Sequence, residues 1–400
     1  MARLPILALL AVMLTMVAGC SHPDRLPSVP RADTERAQPL GIANARFFAD
    51  GDITVVMQEG TRALEREIAQ LRAEGKNPLR TKLPPVSFLA VSGGGDNGAF
   101  GAGLLNGWTA AGTRPEFKMV TGVSTGALIA PFAFLGPDYD AALKEVYTTM
   151  TPDRVFRARG LTAALFNDAM ADSSPLAGII AKYTDDKMLA AIAREYREGR
   201  LLMIGTTDLD AQRPVIWNVG AIAASGKPGA LELFRNILRA SAAIPGLFQP
   251  VMIDVELDGK KYQEMHVDGG TIAQLFLYPP ALEASRVLKR ERRAYIIRNA
   301  RLDPDYTMSE RRTISIAGRA ISTMLAASGH NDVLRTYFIS RRDGLDYNLA
   351  YIGADFNFEK NGEFEQAYMG ALYEYGYQQA RAGKEWYKLP PTLAREIGKY

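Results

Sequence analysis

Ser124 is the residue of this chain best placed by its neighbours to act as a nucleophile. It lies at the centre of the segment Gly122-Val123-Ser124-Thr125-Gly126, between an apolar run and residues typical of a helix. In a strand-turn-helix of this pattern the serine hydroxyl points outward, and the flanking glycines permit the tight turn. The segment therefore predicts a serine hydrolase site, with a turn serine that caps the next helix as the alternative.

A glycine-rich loop before Ser124 could supply the N–H donors that stabilise an oxyanion. Its glycines are Gly93, Gly94, Gly95 and Gly98. The same pattern is typical of a dinucleotide-binding loop, which requires an acidic residue at the end of the next strand. Because that place holds the segment leading into Ser124, we favour an oxyanion loop and keep nucleotide binding as an alternative.

Asp268, which precedes Gly269 and Gly270, is a candidate for the base that accepts the serine proton. It ends a predicted strand, where catalytic side chains of α/β sheets collect, although a turn aspartate is an equally simple interpretation. His266 would point to the same side of that strand and is the other candidate base. An aspartate needs partial desolvation for this work, because its ordinary pKa is about 3.9.

The order of these three motifs resembles that of the patatin-like phospholipase family. Residues 239–250 and 206–210 resemble two further segments of that family. The resemblance spans about residues 86–270 and implies a three-layer α/β/α fold with a mainly parallel central sheet. It also implies that Ser124 and Asp268 form a dyad for lipid acyl-ester hydrolysis, that the loop glycines donate to the oxyanion, and that neither a histidine nor a metal or other cofactor is needed. One departure is Asn97, where the family often has Arg or Lys.

Apolar patterning predicts the elements that position these motifs. Buried strands are expected at residues 86–92, 117–121, 201–205 and 294–299, and helices at residues 61–74, 314–328 and 363–381. Residues 157–175 are apolar without a clean period. We interpret them as a flap near an acyl pocket, with ordinary packing as the alternative.

The N-terminus resembles a bacterial lipoprotein signal. One arginine precedes an apolar run that ends in Val-Ala-Gly-Cys, and Cys20 is the only cysteine of the chain. We therefore expect residues 1–19 to be a signal peptide and Cys20 to be the lipidated first residue of the mature chain. The polar, proline-rich residues 20–42 predict a flexible tether, and residues 43–400 a hydrolase domain with a C-terminal helical extension.

Composition limits the partners that we expect. The chain has 47 basic and 44 acidic residues, a net charge of +3 that gives no reason to expect nucleic acid. The motifs and the lipoprotein signal together predict an enzyme of the bacterial envelope that acts on lipid esters at a membrane surface, and Ser21 after the cysteine favours the outer membrane. The sequence does not identify a protein partner. A catalytically silent lipoprotein of the same fold is the alternative function.

Overall fold

A nine-stranded sheet lies at the centre of the computed structural model, which describes residues 25–77, 83–158, 169–283, 290–304, 306 and 308–396. The strands of this sheet are β1 (Arg46–Phe48), β2 (Val86–Val91), β3 (Phe117–Val123), β6 (Leu201–Asp208), β7 (Arg213–Asn218), β8 (Val251–Leu257), β9 (Lys260–Asp268), β10 (Arg292–Arg298) and β11 (Asp346–Tyr351). A separate two-stranded ribbon consists of β4 (Arg157–Ala158) and β5 (Ala171–Asp172).

Helices cover both faces of the sheet. They are α1 (Ile53–Ala73), α2 (Gly98–Ala110), α3 (Thr125–Leu135), α4 (Asp140–Thr149), α5 (Pro152–Val155), α6 (Ser174–Tyr183), α7 (Asp186–Arg197), α8 (Val219–Ala224), α9 (Ala230–Ser241), α10 (Thr313–Asp343), α11 (Gln366–Arg381) and α12 (Pro391–Glu396). The largest core lies between the sheet and the face that carries α2, α3 and α11, whereas α1 and α10 pack on the other face. Among the described residues, no helix combines the length and apolar content that a membrane span requires.

The middle of the sheet is parallel, in the order β6-β3-β2-β10-β11. Such strands are buried on both faces, which explains their continuous apolar runs. The antiparallel strands β7 and β1 extend the sheet beyond β6, and the hairpin β8–β9 joins β6 at its carboxyl end. The expected three-layer α/β/α fold is confirmed, and the four predicted strands are present.

The segment that we expected to be a flexible tether packs on the body from residue 25 onward. Arg25 forms an ion pair with Asp210 at 2.6 Å, and Gln38 forms a β-bridge with Glu256. Val29 is among the side chains of this segment that are buried. Single apolar residues and ion pairs hold this segment on the body. The prediction used the polar composition of the whole segment, which does not reveal such individual contacts. The signal peptide and Cys20 lie outside the described residues.

Helix boundaries differ from the predictions where local caps decide them. The helix expected at residues 61–74 begins at Ile53, because the Asp52 side chain accepts a hydrogen bond from the Thr54 amide at 2.9 Å. The helix expected to end near residue 328 continues to Asp343 and ends at Gly344. The C-terminal region is not a helical extension alone, since β10 and β11 complete the edge of the sheet. Most of the predicted flap, residues 159–168, lies outside the described residues.

Helices α2 and α11 approach each other closely through glycines. A Cβ on Gly103 would lie 1.9 Å from the Tyr373 carbonyl oxygen, and one on Gly376 would lie 2.4 Å from that of Phe100. Backbones can pack at this distance only without side chains between them. Helix α11 therefore packs directly on α2, the helix that follows the glycine-rich loop.

The Gly103→Ala variant tests this packing. We expect it to lower the free energy of unfolding by about 1–3 kcal/mol, because an added methyl group overpacks a fixed backbone contact. Gly370→Ala, in α11 where no atom lies within 4 Å, is the matched control and should stabilise the helix by up to about 1 kcal/mol. Thermal or urea unfolding measures both, and a neutral Gly103→Ala would contradict the packing.

Candidate active site

Ser124 sits in a strained turn between β3 and α3. Its φ is +55° and its ψ is −127°, a conformation that a non-glycine residue adopts only when the surrounding structure enforces it. There is no room for a side chain at either flanking glycine. A Cβ on Gly122 would lie 2.3 Å from the Gly126 carbonyl oxygen, and a Cβ on Gly126 would lie 2.2 Å from the Val91 carbonyl oxygen. The turn has the geometry of a nucleophile elbow.

Ser241, the last residue of α9, fixes the backbone of this turn. The Ser124 amide donates to the Ser241 hydroxyl oxygen at 3.0 Å, and that hydroxyl donates to the Gly205 carbonyl oxygen at 2.7 Å. Two residues later the Ala243 carbonyl oxygen accepts from the Asp268 amide at 2.9 Å. The segment that resembles the family at residues 239–250 therefore holds the backbones of both Ser124 and Asp268.

Strand β6 brings Asp268 next to Ser124. Val123, the last residue of β3, pairs with Gly205, and Asp268, the last residue of β9, pairs with Thr206 on the same edge of β6. The end of one strand thus meets the end of the other at adjacent positions of a common neighbour. A Cβ on Gly269 would lie 2.6 Å from the Gly205 carbonyl oxygen, so this approach requires glycine.

The Ser124 hydroxyl lies beside the Asp268 carboxylate and lowers its pKa, and this carboxylate accepts a hydrogen bond from the Gly270 amide at 2.7 Å. Ser124 is 7% exposed and Asp268 is 5% exposed. Burial raises the pKa of Asp268 to about 7, against the lowering effects of the Ser124 hydroxyl and the Gly270 amide. A carboxylate with this pKa can accept a proton from an alcohol far better than an ordinary aspartate.

The amides of the glycine-rich loop differ in their availability. The Gly93 amide donates to the Gln274 carbonyl oxygen at 3.0 Å, and the Gly98 amide donates to the Gly95 carbonyl oxygen. Because each N–H is already used, the oxyanion role that we expected for these two glycines does not fit the structure. Among the described residues, the amides of Gly94 and Gly95 have no hydrogen-bond partner and remain open to a ligand.

The loop borders Ser124 directly, since a Cβ on Gly93 would lie 3.1 Å from the Ser124 Cβ. Its other side is held by the C-terminal region. Lys360 lies 2.9 Å from the buried Asp96 carboxylate, which also accepts from the Phe364 amide at 2.9 Å. Burial raises the pKa of Asp96, and the nearby Lys360 opposes that rise. Asn97, the departure from the family, accepts from the Tyr368 hydroxyl at 2.7 Å.

Arg298 and Asn299, at the carboxyl end of β10, also border the loop, and the sequence analysis missed both. Asn299 accepts from the Gly101 amide at 3.0 Å and donates to the Ser92 carbonyl oxygen at 2.9 Å. Arg298 Nη1 lies 3.4 Å from the Gly93 carbonyl oxygen. Burial lowers the pKa of Arg298 to about 10, opposed by the charge of Asp332. The sequence signal that could have identified them is a pair of polar residues at the end of a buried apolar strand.

His266 is not placed to act as the base. Its Nδ1 lies 3.0 Å from the Thr206 hydroxyl oxygen and its Nε2 lies 3.2 Å from a Glu264 carboxylate oxygen. Since both ring nitrogens are occupied in a fully buried side chain, the alternative of a histidine base is wrong in this structure.

Asp208, Glu264 and His266 bring possible ligand atoms within 4.8 Å of one another. However, the Arg46 guanidinium forms two hydrogen bonds with Glu264. Burial raises the pKa of Glu264, but the bonds from Arg46 and His266 outweigh it and bring that pKa to about 2. A cation is therefore already present in this cluster as a side chain, and the arrangement is that of a buried ionic network.

Comparison with known proteins places these motifs in one family. Residues 89–281 match the family model described as patatin-like phospholipase. This part of the chain is similar to a patatin-like phospholipase domain. The match includes both Ser124 and Asp268, whereas α10, α11 and β11 lie outside it. The match covers the glycine-rich loop and gives no support to the dinucleotide-binding alternative.

Two solved structures are similar to the chain. VipD from Legionella pneumophila is 11% identical, with 75% of this chain and 67% of that chain covered and a TM-score of 0.37. The type III effector protein ExoU is 12% identical, with 79% of this chain and 59% of that chain covered and a TM-score of 0.32. No curated protein matches the chain.

Replacing Asp268 by Asn should raise the thermal stability of the patatin-like domain. The pKa of Asp268 is about 7 in the folded state and near its ordinary 3.8 when unfolded, so the folded state binds this proton more tightly. The free energy of unfolding therefore falls as the pH rises from about 4 to 7. Asn keeps an acceptor for the Gly270 amide and a partner for the Ser124 hydroxyl, but cannot ionise.

Calorimetry of both proteins at about pH 5 and pH 8 measures this effect. We expect the gain in Tm for Asp268→Asn to be larger at the higher pH. A gain that is equal at both values, or a loss that grows with pH, would contradict the buried and weakly acidic carboxylate.

Proposed function

We propose that the protein hydrolyses acyl esters of lipids through a Ser124–Asp268 dyad. The observation that carries this proposal is the position of the strained Ser124 beside Asp268, a buried carboxylate whose pKa is raised to about 7. The patatin-like phospholipase match supports a lipid as the source of the acyl group.

In the first half of the proposed reaction, Ser124 Oγ attacks the ester carbonyl carbon while Asp268 accepts the hydroxyl proton. The carbonyl oxygen becomes the oxyanion. Collapse of the tetrahedral intermediate breaks the bond to the leaving alcohol, which takes the proton back from Asp268. In the second half, water attacks the acyl-enzyme, again with Asp268 as the base, and releases the fatty acid and free Ser124.

The amides of Gly94 and Gly95 are the donors that we assign to the oxyanion. Loss of one such donor typically costs about 10²–10³ in turnover. The contacts of Asp96 and Asn97 with the C-terminal region keep the loop in place, so the oxyanion site depends on residues beyond the matched domain. Arg298 supplies a positive charge beside the loop, at the Gly93 carbonyl oxygen. Asn97 supplies none, although the family often has Arg or Lys at that position.

We further propose that the enzyme is a lipoprotein of the bacterial envelope, anchored through acyl chains on Cys20. The lipoprotein-like signal and the single cysteine support this proposal. Such an anchor keeps the enzyme at a membrane surface, where the local concentration of lipid esters is high. The residue after the cysteine favours the outer membrane.

Hydrolysis of a panel of esters by the wild type and Ser124→Ala tests the proposed reaction. The panel contains diacyl phospholipids, lysophospholipids and short p-nitrophenyl esters. We expect the wild type to release fatty acid and Ser124→Ala to lose at least about 10³ in kcat, because the nucleophile cannot be replaced by its neighbours. Ser28→Ala, at an exposed serine of the N-terminal segment, is the matched control. Equal activity of Ser124→Ala and the wild type would contradict Ser124 as the nucleophile.

A further inference from the structure

The N-terminal half of α10 extends from the body into solvent. Helix α10 spans 31 residues, which is about 46 Å, far longer than the strand β11 that follows it. Among residues 313–327, none whose side-chain exposure is described is buried, whereas burial begins at residue 329. Along about 22 Å of this helix, therefore, no side chain whose exposure is described is buried.

This half-helix leaves the body beside the active site. Gly329 packs against the Arg298 guanidinium at the carboxyl end of β10, where a Cβ would lie 2.3 Å from Arg298 Nη2. The Ser328 hydroxyl lies 3.5 Å from the carbonyl oxygen of Ile272, four residues after Asp268. Because α10 leads into the amino end of β11, its own N-terminal half extends past the carboxyl ends of the parallel strands, the edge that carries Ser124.

The extended half has two distinct sides. Positions three and four residues apart share a side of a helix, so one side is apolar and the other is polar. The apolar side consists of Ile316, Ala317, Ala320, Ile321, Met324, Leu325 and Ala327, and the polar side of Ser315, Arg319, Ser322 and Thr323. Ile316 is 55% exposed, Ile321 47% and Met324 70%. Large apolar side chains that are exposed together in this way indicate an interaction surface for a protein, a membrane or a ligand.

Charge and neighbouring residues indicate a lipid surface as the partner. Residues 311–331 contain no Asp or Glu and include Arg311, Arg312 and Arg319, of which Arg312 pairs with Glu310 at 3.4 Å. Before the helix, Tyr306 and Met308 are 95% and 87% exposed. An amphipathic helix with basic residues and an exposed apolar side is typical of segments that lie in the interface of a membrane with anionic lipids.

The start of the described chain supports the same partner. Arg25 pairs with Asp210, just past the carboxyl end of β6, so the chain enters the body at the edge that carries the active site. Cys20, the proposed lipid anchor, is five residues before Arg25 and can lie at most about 17 Å away. The anchor and the half-helix would therefore face the same membrane.

We propose that residues 313–327 of α10 are a membrane-docking helix that lies in the surface of an anionic lipid bilayer and holds the Ser124–Asp268 site against it. The benefit of this docking rests on the proposed function, because the helix would hold the active site at its lipid substrate. Binding of the helix to lipid is a separate property that does not require catalysis.

Two variants with the same change of charge test the docking helix by activity. Ile321→Glu/Met324→Glu alters the apolar side, and Ser315→Glu/Ser322→Glu alters the polar side. For the first we expect hydrolysis of vesicles of phosphatidylethanolamine and phosphatidylglycerol to fall at least about tenfold, because two apolar side chains no longer enter the lipid. Its hydrolysis of soluble p-nitrophenyl butyrate should stay unchanged. The second variant should keep at least half of the vesicle activity, and equal losses in both variants would overturn the proposal.

A binding measurement distinguishes failure of docking from failure of the proposed function. In the full chain with Ser124→Ala and Cys20→Ser, an environment-sensitive dye is attached at Met324→Cys or, as the matched control, at Ser322→Cys. On addition of the same vesicles, we expect the emission to shift to the blue at position 324 and much less at position 322. Equal responses at the two positions would overturn the proposal. A dimer that Ile321→Glu/Met324→Glu converts into a monomer would assign the surface to self-association and also overturn it.

Discussion

The site depends on one constraint, the edge of β6 that two other strands share. Strand β3 pairs with the first part of this edge and stops at Val123, opposite Gly205. Strand β9 pairs with the remainder and stops at Asp268, opposite Thr206. A serine and an aspartate that are 144 positions apart in the chain therefore meet at neighbouring residues of one strand. The strained turn at Ser124 and the contacts of Ser241 and Ala243 all serve this meeting.

Burial turns this geometry into chemistry. The pKa of Asp268 rises because its environment excludes water, and the same exclusion would strengthen the proposed interaction of an oxyanion with the Gly94 and Gly95 amides. Two features of the site lower the stability of the protein: the burial of the Asp268 carboxylate and the positive φ of Ser124. Residues outside the family match contribute to the site, because the loop that contains Gly94 and Gly95 is held through Asp96 by Lys360.

The sequence predicted the elements and motifs whose signals are local. The apolar strands and the glycines around Ser124 follow from burial and steric contact, so pattern alone indicates them. The sequence does not reveal that the Gly93 amide is already bonded to the Gln274 carbonyl oxygen, because this depends on a tertiary contact. Packing of residues 25–42 and the continuation of α10 to Asp343 are likewise decided by distant partners.

The pH dependence of covalent labelling of Ser124 by a fluorophosphonate tests the central claim most directly. Mass spectrometry locates the adduct, and its rate of formation reports how well Asp268 activates the hydroxyl. We expect a single adduct on Ser124 and almost no labelling of Asp268→Asn. The labelling rate of the wild type should rise with pH, with a midpoint near 7, and then reach a plateau. Labelling of Asp268→Asn at the rate of the wild type, or an adduct on another residue, would contradict the claim that these two residues act as one catalytic pair.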